Sequence, residues 1–139
     1  MITDTNSIIR AYLVEQTTLT DLVSTAGVDR IYCPRLPENC TLPALAFKTM
    51  GGSSNPHIPP IVKPTIQFYC YDDDPLDARA LYVALTQVLQ GIQNESVTIG
   101  SDTYRIMSAV EEGQGQDFED DEIPNYFMVL AFYQIEIET

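Results

Sequence analysis

Ile8, Ile9, Tyr12 and Leu13 recur at the three- and four-residue spacing of one helical face, behind Asp4, Thr5 and Asn6 as capping residues. The spacing predicts a helix of about three turns. Thr18 and Asp21 then stand at capping-box spacing ahead of Leu22 and Val23, with Gly27 placed to end a short second helix. Arg30-Ile31-Tyr32 is a brief β-prone run, and Pro34, Pro37 and Pro43 keep the following chain extended. From Pro43 the period changes to two. Leu45, Phe47 and Thr49 alternate with Ala44, Ala46 and Lys48, which predicts a strand.

Residues 51–60 hold too many glycines and prolines for regular structure and read as a mobile excursion between paired strands. Ile66, Phe68 and Cys70 then share one strand face, with Gln67, Tyr69 and Tyr71 on the other, and Pro64 predicts an irregular or edge beginning. Asp74-Pro75 sets a capping carboxylate before a proline at the first helical position. The helix that follows has an apolar face of Ala78, Leu81, Leu85, Val88 and Ile92, with Gly91 near its end. Val97-Thr98-Ile99 and residues 103–111 flank Gly100-Ser101-Asp102 as a hairpin, with Tyr104, Ile106 and Val110 facing inward. Residues 111–122 read as an exposed acidic loop. The last strand, residues 126–137, is apolar on both faces through Phe132 and alternates afterwards, as a central strand that then emerges does. The fold class is α+β: a mostly antiparallel sheet, an N-terminal helical segment and one long helix packed on the sheet. Residues 1–139 form a single domain, a size that buries about two thirds of the unfolded surface.

Composition narrows the function. The formal net charge is −13, and the seven Lys and Arg are scattered, so an acidic surface opposes tight binding to a phosphate backbone. No apolar run reaches the roughly 20 residues needed to cross a bilayer and no secretory signal is visible, which predicts a soluble product made in the cytoplasm without membrane partners. Cys33, Cys40 and Cys70 are odd in number and lack CxxC spacing, the pattern of reduced thiols.

Chemistry is sparse. His57 is the one histidine and sits in the breaker-rich segment, so no His-dependent triad is supported. Asp72-Asp73-Asp74 and the acids of 117–122 are clustered carboxylates without the spacing of a familiar cation loop. Neither GxxxxGK[ST] nor GxGxxG occurs. No catalytic residue, cofactor site or metal site is assigned, and the chain is expected not to be an enzyme.

The order of elements, with Arg30-Ile31-Tyr32 followed by Leu36-Pro37 and Leu42-Pro43-Ala44-Leu45-Ala46-Phe47 leading into a strand, resembles the phage tail completion or tail terminator proteins. The resemblance covers nearly the whole chain. It implies a structural virion protein at the head-proximal end of the tail, forming a hexameric ring that stops the tail tube and meets the head connector. It implies as partners further copies of itself, the tail tube protein and the head–tail connector protein, with DNA only passing through the channel. Aromatic residues are enriched at interfaces and loops carry contacts, so Tyr69, Tyr71, His57, Asp117, Glu119, Asp120 and Asp121 are the interface candidates. Two other readings compete: an acidic DNA mimic that occupies a DNA-handling protein, which needs carboxylates spaced like phosphates over one face, and a small enzyme using carboxylates alone.

Overall fold

The computed structural model describes residues 4–25, 27–37, 41–54, 61–119 and 126–138. Helix α1 (Thr5–Val14) starts where the Asp4 carboxylate accepts a hydrogen bond from the Asn6 N–H at 3.1 Å, and it buries the predicted face of Ile8, Ile9, Tyr12 and Leu13. Helix α2 (Thr17–Val23) buries Leu19 and Val23. Its capping box does not form: the helix begins one residue before Thr18, and Gln16 at the N-cap makes no side-chain bond. Gly27 does not end it either. The β-prone residues around Gly27 instead form a ribbon, β1 (Ser24–Thr25) against β2 (Val28–Asp29), and Gly27, at φ 80°, serves its turn.

Arg30 joins this ribbon to the main sheet. Its side chain is buried; Nε donates to the Pro43 carbonyl at 2.8 Å and Nη1 to Thr25 Oγ1 at 2.7 Å. Its backbone N–H donates to the Val23 carbonyl, and its carbonyl accepts from the Leu45 N–H, each at 2.9 Å. The Arg-Ile-Tyr run and the second Leu-Pro step are thereby tied together. Strand β3 (Ile31–Tyr32) then pairs in parallel with β4 (Ala44–Ser54).

The remaining elements are β5 (Ile61–Asp72), α3 (Pro75–Leu89), β6 (Glu95–Ile99), β7 (Asp102–Glu119) and β8 (Phe127–Glu138). The six-stranded sheet has the order β3-β4-β5-β8-β7-β6 and is antiparallel apart from the β3–β4 pair. This is the expected α+β architecture. Helix α3 begins as its sequence dictates: Asp74 accepts from the Leu76 N–H at 2.8 Å, Pro75 opens the helix and Asp77 lies in its first turn.

The helices cover one face of the sheet, and the core lies between. Leu45, Phe47, Ile66, Phe68, Cys70, Val129, Ala131, Tyr133 and Ile135 meet Ile9, Leu13, Leu81 and Leu85 there. Phe68 stands edge-on to Tyr133 at 5.6 Å and tilts against Phe47 at 5.8 Å. Each fully buried side chain of this size contributes about 1.5–3 kcal/mol. α1 runs across the layer and touches both edge strands, β3 and β6. The Tyr12 hydroxyl donates to the Val88 carbonyl of α3 at 2.5 Å, giving this buried group a partner.

Three boundaries and one side-chain facing differ from expectation. β4 continues through Gly51 and Gly52 to Ser54, because a bulge between Thr49 and Gly52 absorbs the glycines within the ladder; residues 55–60 lie outside the described residues. Pro64 follows the irregular alternative: it lies opposite Gly52 at this bulge, on an inner strand. The acidic segment is mostly strand, since β7 stays paired with β8 as far as Glu119 opposite Phe127. Val110 points outward and is 59% exposed, because the register shift between Ile106 and Ser108 reverses the alternation and turns Ala109 toward the core instead. β8 is central as expected, yet it does not emerge: Glu138 still lies between Ile61 and Arg105.

Candidate functional site

The sheet face opposite the helices carries the two tyrosine candidates. Tyr69 and Tyr71 are successive outward residues of β5, partly buried, with rings stacked at 6.2 Å. Tyr126 meets Tyr71 edge-on at 6.4 Å, and the Lys48 ammonium lies 5.7 Å from the Tyr69 ring centre. Register places Ala44 beside Tyr71 and Ala46 beside Tyr69, so β4 offers small residues next to the rings. On the other side Met128 and Leu130 pair with Tyr71 and Tyr69, and Phe132 lies opposite Gln67. The result is an aromatic and aliphatic belt across three adjacent strands, with no helix over it among the described residues.

Asp117 and Glu119 sit elsewhere, on the last paired residues of β7 beside the start of α3. They line a groove of about 230 Å³ with Pro75, Ala78, Phe118, Phe127, Met128 and Val129. Asp117 pairs with Arg79 at 3.5 Å, an exposed contact of small energetic weight. The structure therefore separates the candidates into the tyrosine belt and the β7 acids, while His57, Asp120 and Asp121 lie outside the described residues.

Of two polar clusters, the first was not visible in the sequence pattern, and the second takes Asp72 and Asp73 from the Asp72-Asp73-Asp74 run and adds Asp77. Glu111, shared by the expected strand 103–111 and the expected acidic loop 111–122, is held between α3 and the sheet. The Tyr82 hydroxyl donates to its Oε1 at 2.6 Å and the Tyr133 hydroxyl to its Oε2 at 2.8 Å, with Thr86 Oγ1 3.2 Å from the Tyr133 oxygen. Burial, together with the adjacent carboxylate, raises the pKa of both phenols above the ordinary tyrosine value, so they remain protonated donors. The arrangement is a latch that holds α3 on the sheet. The second cluster is Asp72, Asp73 and Asp77, whose carboxylate oxygens lie within 4.8 Å of one another. Asp72 is buried and accepts from the Asp73 N–H at 2.7 Å. Burial, and then its contact with the Asp73 side chain, push its pKa up to about 6. This trio adjoins the α3 N-terminus, which compensates negative charge, and the donor set is all oxygen, as a hard cation prefers.

The class of protein the geometry defines is thus a two-layer α+β fold, helices on one side of a sheet whose other side is open and aromatic. A solved structure with the same fold is a chain from the virion of a native gene transfer agent particle, 11% identical, with a TM-score of 0.63 over 97% of this chain and 95% of that one. No protein-family model and no curated protein sequence matches.

Proposed function

We propose that this chain is a structural virion protein, a tail terminator whose copies form a hexameric ring between the tail tube and the head connector. The observation that carries this reading is the likeness, along almost the full length of both chains, to a chain of a gene transfer agent virion. The Arg30-Ile31-Tyr32 and Leu-Pro steps support it independently, as they are the residues on which the resemblance to tail completion proteins rests. The role asks for surfaces and not for catalysis. Successive rings and the connector need apolar contact area, and the belt of Tyr69, Tyr71, Met128, Leu130 and Phe132 supplies it. A channel through which DNA slides is served by an acidic protein, because like charge prevents adhesion to the phosphates.

Electron microscopy of particles assembled without this chain tests the role. Overlong tubes or tails without heads are the expected result, and normal tails joined to filled heads would overturn it. For the belt, Tyr69→Ala combined with Tyr71→Ala is expected to leave the fold intact and reduce incorporation into particles at least tenfold. Unchanged incorporation would remove the belt from the interface.

A further inference from the structure

The four long strands of the sheet are incompletely covered at both edges, and in opposite corners. β6 pairs with β7 only from Asp102 to Ile106, with the Asn94 N–H reaching the Met107 carbonyl beyond it. β3 pairs with β4 only at Leu45 and Ala46. Among the described residues, no strand lies against the outer side of β7 beyond Met107 or of β4 beyond Ala46. A free strand edge is a row of backbone donors and acceptors that another strand can pair with.

The two free edges match each other. Following the register across the sheet, Ser108–Glu111 is level with the β4 segment from Thr49 to Ser53: Glu111 lies opposite Tyr133, then Ile66, then Thr49. β4 and β7 run in opposite directions, because three antiparallel pairings separate them. A second copy brought alongside would therefore extend the ladder in antiparallel sense. The side chains agree. Met50 is 52% exposed and Val110 59% exposed, and they occupy nearly the same level on the two edges. Lys48 is level with Gly113, next to the exposed Glu112. Pairing β7 with another β7 sets a strand bearing Glu112, Asp117 and Glu119 against itself, like charge near like. β4 beyond Ala46 has one lysine and no carboxylate.

We propose that copies of this chain join edge to edge, the outer side of β7 on one against the outer side of β4 on the next, with Val110 packing on Met50. Such a contact uses two different patches of the molecule and is head-to-tail, the type that closes into rings. It deepens the ring reading above and rests on it. The occupant of each edge is a second copy of this chain.

Cysteine cross-linking distinguishes the possibilities. Met50→Cys and Val110→Cys are introduced singly and together into the full chain carrying Cys33→Ser and Cys40→Ser, with melting curves to check folding. The chains are then oxidised in particles assembled with them. A ladder of covalent oligomers from the double variant, absent from both single variants, is the expected result. Dimers from either single variant would show two-fold pairing of like edges and overturn the proposal. Particles with normal tails that contain the folded double variant and give no ladder would overturn it too, leaving the tail reading intact. If particles lacking the chain altogether have normal tails, the tail reading itself falls.

Discussion

At the residue scale, Arg30 shows how a motif can be legible while its mechanism is not. The run Arg30-Ile31-Tyr32 reads as β-prone, and Ile31–Tyr32 form β3, but the partners of the buried Arg30 guanidinium, the Pro43 carbonyl and the Thr25 hydroxyl, carry no sequence signature. Arg30→Ala leaves that carbonyl and the Thr25 hydroxyl without their donor. A loss of about 2–4 kcal/mol in denaturant unfolding is expected. Arg30→Lys is expected to recover less than half, since an ammonium cannot reproduce two directed contacts from one planar fork. Asp72 makes a prediction of opposite sign. Its pKa rises on folding from 3.8 to about 6, so the folded state holds the proton more tightly, and its favourable contribution is complete below pH 3.8 and lost as pH rises through 6. Asp72→Asn keeps the acceptor for the Asp73 N–H and removes the charge. It is expected to stabilise the protein at pH 7.5 by on the order of 1–2 kcal/mol and to have little effect at pH 3.5. Equal melting shifts at both pH values would show that charge is not the cause.

At the element scale, periodicity identified each long helix and strand because a buried face repeats. The failures arise where the repeat is interrupted. Gly113, Gly115 and the carboxylates of residues 111–119 have the composition of a loop, yet the register shifts of β7 keep this stretch paired beside β8. Gly115 is needed for a close approach, as a Cβ there would lie 2.7 Å from Val129 Cγ1 and 2.9 Å from the Tyr82 ring. Gly113 has open space at the same position. Gly115→Ala is therefore expected to cost about 1–3 kcal/mol, and Gly113→Ala a small fraction of that, in paired thermal melts. The α3 cap, by contrast, was plain from Asp74-Pro75. Asp74→Ala is expected to cost about 1 kcal/mol, and a much smaller loss would mean that packing alone sets the start of the helix.

For the whole molecule, the sheet order depends on which strands meet across long separations, and no local pattern encodes it. The tyrosines were legible as an outward stripe on β5, but their belt exists only because β4 and β8 flank that strand. The charge of −13 acts at this scale as well. With few ion pairs among the described residues to offset it, self-repulsion opposes compaction, so raising salt from about 20 mM to about 300 mM is expected to increase the melting temperature. A flat response would mean that the carboxylates are far enough apart to be indifferent to one another.

β8, which follows the other described strands along the chain, lies in the middle of the sheet. During synthesis the β4–β5 and β6–β7 pairings can form early, but each leaves an inner edge and an apolar surface open until β8 arrives to join them. The polypeptide therefore passes through a period on the ribosome in which two half-sheets are exposed to neighbouring nascent chains. Its yield in a cell will depend on how quickly translation and chaperones carry it through that interval, and slow codons between β7 and β8 are expected to increase the insoluble fraction.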